Sequence, residues 1–458
     1  MRGRKISFEL TAVAILLAAA FSSPPLRAEE SKPNIVILLA DDLGWADVGF
    51  HGSPIATPNI DSIAREGTVL DRFYVCPVCT PTRAGLMTGR YPIRFGLMRA
   101  VLPPWRKFAL AQDEVLMPEI LAKAGYEHRG MFGKWHLGHG HIRDTPTRRG
   151  FTEFLGHYNG NIDYFTHQRE GELDWHRNEE PDHSEGYSTD LIAAAAARFI
   201  TEHAGDGPFL CYVPFNAPHS PFQAKDEDIE SYRDLPELPG ARAGKEKKRP
   251  VYAAMVTSMD EGIGRILQAI DEAGIAANTL VWFMSDNGGT GDAGDNRPLR
   301  GKKGQVFEGG IRVPAAVRWP GRVEPGETIN SPLAYIDVLP TLMNIVGLSE
   351  SGGKPLDGID MLDVLTRKQS RIDRDLFDYT GQKGEDREEI CLITPKWKLV
   401  VRGPNIINQD LDDSKRETLL FHIDWDRDEK TNLAAEHPER VEEMYRRLLE
   451  FLALQPAR

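Results

Sequence analysis

Cys79-Thr80-Pro81-Thr82-Arg83, followed by Ala84-Gly85-Leu86-Met87-Thr88-Gly89-Arg90, has the residue types of a nucleophile mounted on the start of a helix. Pro81 suits a first helical position, where its missing N–H costs nothing and its φ is already helical. That spacing predicts Cys79 at or just before the N-cap. Free backbone N–H groups and the positive end of the dipole favour an anion there, and Arg83 one turn on adds a full charge. The segment describes a seat for a charged tetrahedral group. A cysteine so placed could work as a low-pKa thiolate. Cys76-Pro77-Val78-Cys79 also allows a redox or zinc Cys-x-x-Cys pair, or a structural disulfide, but no second metal pair follows.

Oxygen ligands come next. The apolar run Ile35–Ala40 reads as a strand buried on both faces and leads into Asp41-Asp42. Leu280–Ser285 repeats the pattern and leads into Asp286-Asn287. One such pair is more often a turn or a cap. Two pairs at the carboxyl ends of buried strands, where open α/β sheets bind ligands, point to a metal. Three carboxylates and an amide carbonyl form a hard, all-oxygen set that favours Ca²⁺, then Mg²⁺, over Zn²⁺. Two further strand-like segments bring cations: Gly130–Gly133 runs into Lys134-Trp135-His136, and Phe209–Val213 leads to Ala217-Pro218-His219. A glycine-rich block, Arg300–Pro314, carries Lys302 and Lys303. Singly, such a histidine is usually structural and such a lysine pair a solvated loop.

Together these blocks resemble the sulfatase signature. Cys-x-Pro-x-Arg with Leu-x-Thr-Gly-Arg, Gly-Lys-x-His-Leu-Gly, Pro-His and the Gly-Lys-Gly-x-x-x-Glu-Gly-Gly type of block occur in the family's order. Leu420–Asp424 and Lys430–Leu433 resemble its C-terminal part. The likeness runs from Asn34 to about Leu433, and the chain is identified as similar to type I sulfatases of the alkaline-phosphatase-like superfamily. The resemblance implies that a formylglycine-generating enzyme oxidises Cys79 to formylglycine, whose hydrated aldehyde is the nucleophile. It implies Ca²⁺ held by Asp41, Asp42, Asp286 and Asn287 together with residue 79. Arg83, Lys134 and Lys303 are expected to neutralise the sulfuryl oxygens, His219 with Lys303 to protonate the leaving alcohol, and His136 to act as the base that releases sulfate. Asp286 is expected to help deprotonate the attacking hydroxyl. Lys303, just before Gly304, aligns with the catalytic lysine, while Lys302 stands where the family often has glycine.

The expected activity is hydrolysis of a sulfate ester on a sulfated carbohydrate. Pro146-Thr147-Arg148-Arg149-Gly150-Phe151 and Asp163-Tyr164-x-x-His167 resemble the N-acetylgalactosamine-4-sulfatase (arylsulfatase B) branch, which makes a galactose-type 4-sulfate the leading substrate. The aromatic, His, Asn and Arg side chains between Tyr158 and Asn178 suit a sugar and equally suit a packed loop. Two other functions remain open: a phosphonate or phosphate monoester hydrolase on the same fold, and a glycan-binding protein whose Cys79 is never converted.

These residues need a scaffold. The chain of 458 residues, 41% hydrophobic and 27% charged, can bury a large core. The predicted fold is α/β: a large mixed, mostly parallel sheet flanked by helices, with a smaller C-terminal α+β domain. Ser188-Thr189-Asp190 are expected to cap a helix to His203, and Val256, Met259, Ile263, Ile266, Leu267 and Ile270 mark a second, stopped near Gly274. Leu235–Pro250 reads as a surface loop. Strand-like pieces at Ile390–Thr394, Trp397–Arg402 and Leu419–Ile423 precede a helix with Val441, Met444, Tyr445, Leu448 and Leu452 on one face. The expected division is a catalytic domain over 29–360 and a C-terminal domain over 361–458. Arg2, Arg4 and Lys5 before the apolar Leu10–Phe21, then Leu26-Arg27-Ala28, read as a signal peptide over 1–28, which implies export to the periplasm or the exterior. No stretch is long enough to span a bilayer. Net charge is −13, or −16 without residues 1–28, so nucleic acid is not an expected partner. Four cysteines are too few for a disulfide framework.

Overall fold

The computed structural model describes residues 32–99, 101–240, 247–381, 387–408 and 413–455; the expected signal peptide lies outside them. A ten-stranded mixed sheet forms the centre. Its middle strand, Asn34–Ala40, pairs in parallel with Phe209–Pro214 on one side and Thr279–Ser285 on the other. His128–Lys134 and then Glu153–His157 continue the parallel array. Ala315–Arg318 runs antiparallel beside Thr279–Ser285. Every residue of Asn34–Ala40 is buried, which is why that strand is apolar throughout instead of alternating. Ile35, Ile37 and Leu39 join one apolar cluster, and Val36, Leu38 and Ala40 the other, so the period-2 alternation divides two cores.

Helices Ser188–His203 and Lys248–Glu272 cover the second face. The expected helix start at Ser188 is found, but Tyr187 is the N-cap and no side chain caps it. The Ser188 hydroxyl accepts instead from Asn216 Nδ2 at 3.0 Å, tying the helix to the segment that carries His219. The expected loop to Pro250 ends earlier, since the helix begins at Lys248. The nucleophile helix is likewise Cys79–Thr88, with Pro81 as its third residue rather than its first. Both corrections have one cause: the first turn has no intrahelical acceptor for its N–H groups, so proline is tolerated anywhere within it.

Leu376–Thr380, Glu388–Ile393, Trp397–Gly403 and Glu417–His422 form an antiparallel sheet in chain order. Helix Pro438–Leu452 buries Met444, Leu448, Phe451 and Leu452, and its apolar face joins the first core. Among the described residues no helix is long and apolar enough to cross a membrane.

Candidate active site

Strand register assembles the acidic half of the site. Ala40 pairs with Ser285, so the next residues of two adjacent parallel strands, Asp41-Asp42 and Asp286-Asn287, emerge side by side. Asp286 N–H donates to the Ala40 carbonyl at 2.9 Å, and Asp42 N–H to Asp286 Oδ1 at 3.3 Å. Asn287 Nδ2 donates to Asp42 Oδ1 at 2.8 Å. Asp41 N–H reaches the Ala217 carbonyl, fixing the His219 segment to the same edge. All four ligand candidates are buried. Gly288 must be glycine, since a Cβ there would lie 2.0 Å from the Gly309 carbonyl oxygen; this contact seats the Asp286-Asn287 loop on the Glu308-Gly309-Gly310 turn.

Three cations face the three carboxylates. Arg83 donates from Nε and from a terminal nitrogen to Asp286 Oδ2 at 3.0 and 2.8 Å, and to the Lys134 carbonyl at 2.8 Å. Lys134 Nζ lies 2.5 Å from Asp41 Oδ2, both side chains fully buried. Lys303 Nζ lies 2.7 Å from Asp42 Oδ1 and 2.9 Å from Oδ2. Lys302 is exposed, whereas Lys303 turns inward from a loop held by Lys303 N–H on the Gly289 carbonyl and Gly304 N–H on the Pro77 carbonyl. Gly304 has φ +80°, a conformation side chains resist.

Cys79 is buried at the head of its helix, with Sγ 3.3 Å from His136 Nδ1. His136 Nε2 faces the Leu102 carbonyl at 2.9 Å and must carry the hydrogen, which leaves Nδ1 as an acceptor aimed at residue 79. Burial, then Lys134, pushes His136 well below the ordinary histidine range, so it is a neutral base. Burial also pushes the Cys79 thiol up against the pull of Lys134 and Lys303, which argues against a thiolate. Cys76 turns away and donates to Tyr335 at 3.0 Å, and all four cysteines are free thiols, so the Cys-x-x-Cys pair forms no bridge.

Burial and the repulsion of Asp41 push Asp286 up to about 6 against Arg83. Burial disfavours ionised Asp42, but Lys303 and His219 outweigh it and hold the carboxyl well below the usual range. His219 is pushed down to about 3 by burial and then Lys303. Its Nδ1 meets the Ser220 carbonyl at 2.5 Å and its Nε2 lies 3.6 Å from Asp42. Asp42 and His136 have φ of 68° and 58°. A left-handed non-glycine residue costs about 1–2 kcal/mol, and both side chains enter the ion and hydrogen-bond cluster.

The expected site residues Asp41, Asp42, Cys79, Arg83, Lys134, His136, His219, Asp286, Asn287 and Lys303 thus meet in one cluster. The glycan-like segment behaves differently. Tyr164, His167 and Trp175 are buried, with His167 stacked on Trp175 at 4.6 Å, and Tyr158 stacks on His176 at 4.1 Å. They are a packed loop. Arg149 donates to the Leu110 and Glu114 carbonyls, and Arg148 pairs with Glu179. Two supports went unseen in the sequence. Tyr164 O–H shares its one hydrogen between the Asn216 and His219 carbonyls, at 2.5 and 2.8 Å, and Asn296 bonds both Gly289 and Gly301, joining the loops of Asn287 and Lys303. No local pattern marks such long-range bonds.

A fixed cationic seat beside an acidic ligand set, at the carboxyl edge of a mixed α/β sheet, suits a hydrolase of anionic esters. The chain belongs to the sulfatase family, whose model, described as Sulfatase, matches residues 33–348. It is 32% identical to arylsulfatase J of Mus musculus over 93% of this chain and 76% of that protein. It is 31% identical to N-acetylgalactosamine-6-sulfatase of Homo sapiens over 90% of this chain and 84% of that protein. Among solved structures, Ps i-CgsB in complex with k-i-k-neocarrahexaose superposes with a TM-score of 0.82 at 30% identity, covering 93% of this chain and 94% of that one. The protein is a sulfatase, an enzyme that hydrolyses sulfuric esters.

Proposed function

We propose that the protein removes sulfate from a sulfated carbohydrate, with a galactose-type 4-sulfate as the first substrate to test. Cys79 is converted to formylglycine, and Asp41, Asp42, Asp286, Asn287 and residue 79 hold Ca²⁺. The observation that carries this reading is a pair of oxygens, Asp41 Oδ1 and Asn287 Oδ1, that are buried without any hydrogen-bond partner among three carboxylates. Orphaned buried oxygens are costly unless a cation uses them. With residue 79 as hydrated formylglycine the donor set would be all oxygen, which fits Ca²⁺.

Bound there, Ca²⁺ would supply charge stabilisation to the sulfuryl oxygens. Formylglycine at 79 would supply the hydroxyl nucleophile that a thiol or a simple alcohol cannot regenerate as cleanly. The chain's own residues do the rest. Arg83 and Lys134, pinned by Asp286 and Asp41, hold fixed positive charge where the anion sits. Lys303, kept protonated by Asp42 despite its burial, is the resident proton donor toward the leaving alcohol. His219 is neutral in the resting pocket and shares that task once an anion enters. His136 Nδ1 accepts the proton from residue 79.

The name N-acetylgalactosamine-6-sulfatase, printed for one relative, supports a galacto-configured sugar and speaks for position 6 rather than position 4, so the 6-sulfate belongs in the same test. The segment 361–458 is read as a C-terminal domain bracing the catalytic one over 29–360: Glu308 N–H donates to Glu429 Oε2 at 2.7 Å, and Lys398 Nζ bridges Glu308 and Glu429 at 2.8 and 2.9 Å. Residues 1–28 are read as the export leader, placing the mature enzyme in the periplasm or outside. The formylglycine-generating enzyme is its partner in maturation.

The test is a panel of defined sulfated saccharides assayed beside 4-nitrophenyl sulfate and 4-nitrophenyl phosphate. Sulfate release from a galactose or galactosamine 4-sulfate is the expected result. Failure on every galacto-configured sulfate removes that substrate, and a preference for the phosphate ester removes the sulfated-carbohydrate reading.

A further inference from the structure

The most exposed large apolar side chains among the described residues include Trp105 (74%), Ile142 (59%) and Phe108 (50%). The two segments that carry them form one rim. Leu110 N–H donates to the Leu137 carbonyl at 2.9 Å, His139 Nε2 meets the Pro104 carbonyl at 3.0 Å, and Gly140 packs on Lys107. The rim is anchored in the site itself. Leu102 N–H donates to Thr80 Oγ1, next to residue 79, and the Leu102 carbonyl accepts from His136. Trp105 is three residues further on, so its backbone lies within about 11 Å of that anchor.

The rim's charge is opposite to that of the chain. Residues 102–110 and 139–143 contain no Asp or Glu, in a protein with 68 acidic residues and a net charge of −13. Arg106, Lys107 and Arg143 are exposed there. Arg143 makes only a 3.9 Å contact with Asp144, and no ion pair among the described residues engages Arg106 or Lys107. Open aromatic faces beside unpaired cations complement a chain that presents both apolar sugar faces and anionic groups.

We propose that this rim is a polyanion platform that binds the sugars adjoining the one being desulfated, so that the substrate is an anionic oligosaccharide or polysaccharide rather than a lone monosaccharide. The proposal rests on the carbohydrate reading above. Trp105 and Phe108 supply stacking surfaces, and Arg106, Lys107 and Arg143 meet neighbouring sulfates or carboxylates.

The test compares wild type with W105A/F108A and R106A/K107A, all at exposed positions. Both variants should keep kcat/KM on 4-nitrophenyl sulfate within about twofold while losing about tenfold or more on a sulfated tetrasaccharide, through KM. The loss in R106A/K107A should shrink as salt rises. Dextran sulfate serves as the binding probe, with neutral dextran as control. Wild type should bind the former only, and R106A/K107A should bind it several-fold more weakly. Equal dextran sulfate binding by wild type and variants overturns the platform, as does equal loss on both ester substrates. Sedimentation showing that W105A/F108A breaks a dimer without touching polyanion binding makes the patch an interface between copies and also overturns it. A wild type that splits nitrophenyl sulfate but no saccharide sinks the carbohydrate reading, a result separate from the dextran sulfate comparison.

Discussion

Lys303 Nζ lies within 2.9 Å of both carboxylate oxygens of Asp42, while its neighbour Lys302 stays in solvent. One backbone step separates a half-buried, paired charge from an exposed one. Lys303→Ala should lower kcat on nitrophenyl sulfate by about 10²–10³-fold, the range for removing one preorganised electrostatic group. Lys302→Ala should leave it nearly unchanged. Steady-state kinetics on the pair checks the assignment, and a larger loss in the Lys302 variant would reverse it.

Cys79→Ala should abolish turnover and leave the melting temperature close to wild type, since a small side chain is lost at a helix start. Mass spectrometry of the peptide bearing residue 79 should find an aldehyde in active enzyme. Full activity with only unmodified thiol there is the result that would falsify the formylglycine reading.

Removing divalent ions with a chelator should lower both activity and melting temperature, because Asp41 Oδ1 and Asn287 Oδ1 then lack a counter-charge. Ca²⁺ should restore both better than Zn²⁺. Calorimetry on Asn287→Ala should show weakened Ca²⁺ binding; unaltered affinity would take Asn287 out of the ligand set.

Lys398 is fully buried between Glu308 and Glu429, and burial pushes Glu429 up to about 7 against the pull of Lys398. Lys398→Met leaves buried Glu429 without a counter-charge and Glu308 with Arg312 alone at 3.3 Å, and should cost about 3–5 kcal/mol. Urea denaturation measures it. A loss below about 1 kcal/mol would show that the cluster does not brace the C-terminal sheet on the Glu308 turn.

His51 stacks on Trp45 at 3.9 Å, meets the Trp45 carbonyl through Nδ1 at 2.7 Å, and is pushed by burial from 6.5 down to about 4. The fold therefore prefers the neutral ring, while the unfolded chain protonates near pH 6.5. Its contribution is fully present above 6.5 and is lost as pH falls toward 4, an effect on the order of 2–3 kcal/mol. His51→Gln should flatten this part of the stability profile between pH 7 and 5 in denaturant titrations. An unchanged slope would assign the acid sensitivity elsewhere.

The sequence alone determined the residue types of the site and the strands that carry them. Chemistry that needs a nucleophile, hard oxygen ligands and fixed cations leaves local signatures: Cys79 and Arg83 share a helix, and Asp41 and Asp286 follow apolar runs whose burial is written in their composition. Helix starts were legible only to within a turn, because proline fits anywhere in the first one. Tertiary structure decided what depends on contacts between distant segments. The register of Ala40 against Ser285 sets the acidic pairs side by side. Loop bonds from Gly289 and Pro77 turn Lys303 inward, and close packing consumes Tyr164, His167 and Trp175 as structure. No window of sequence encodes such pairings, since burial of an aromatic ring depends on which remote side chains fill the space around it.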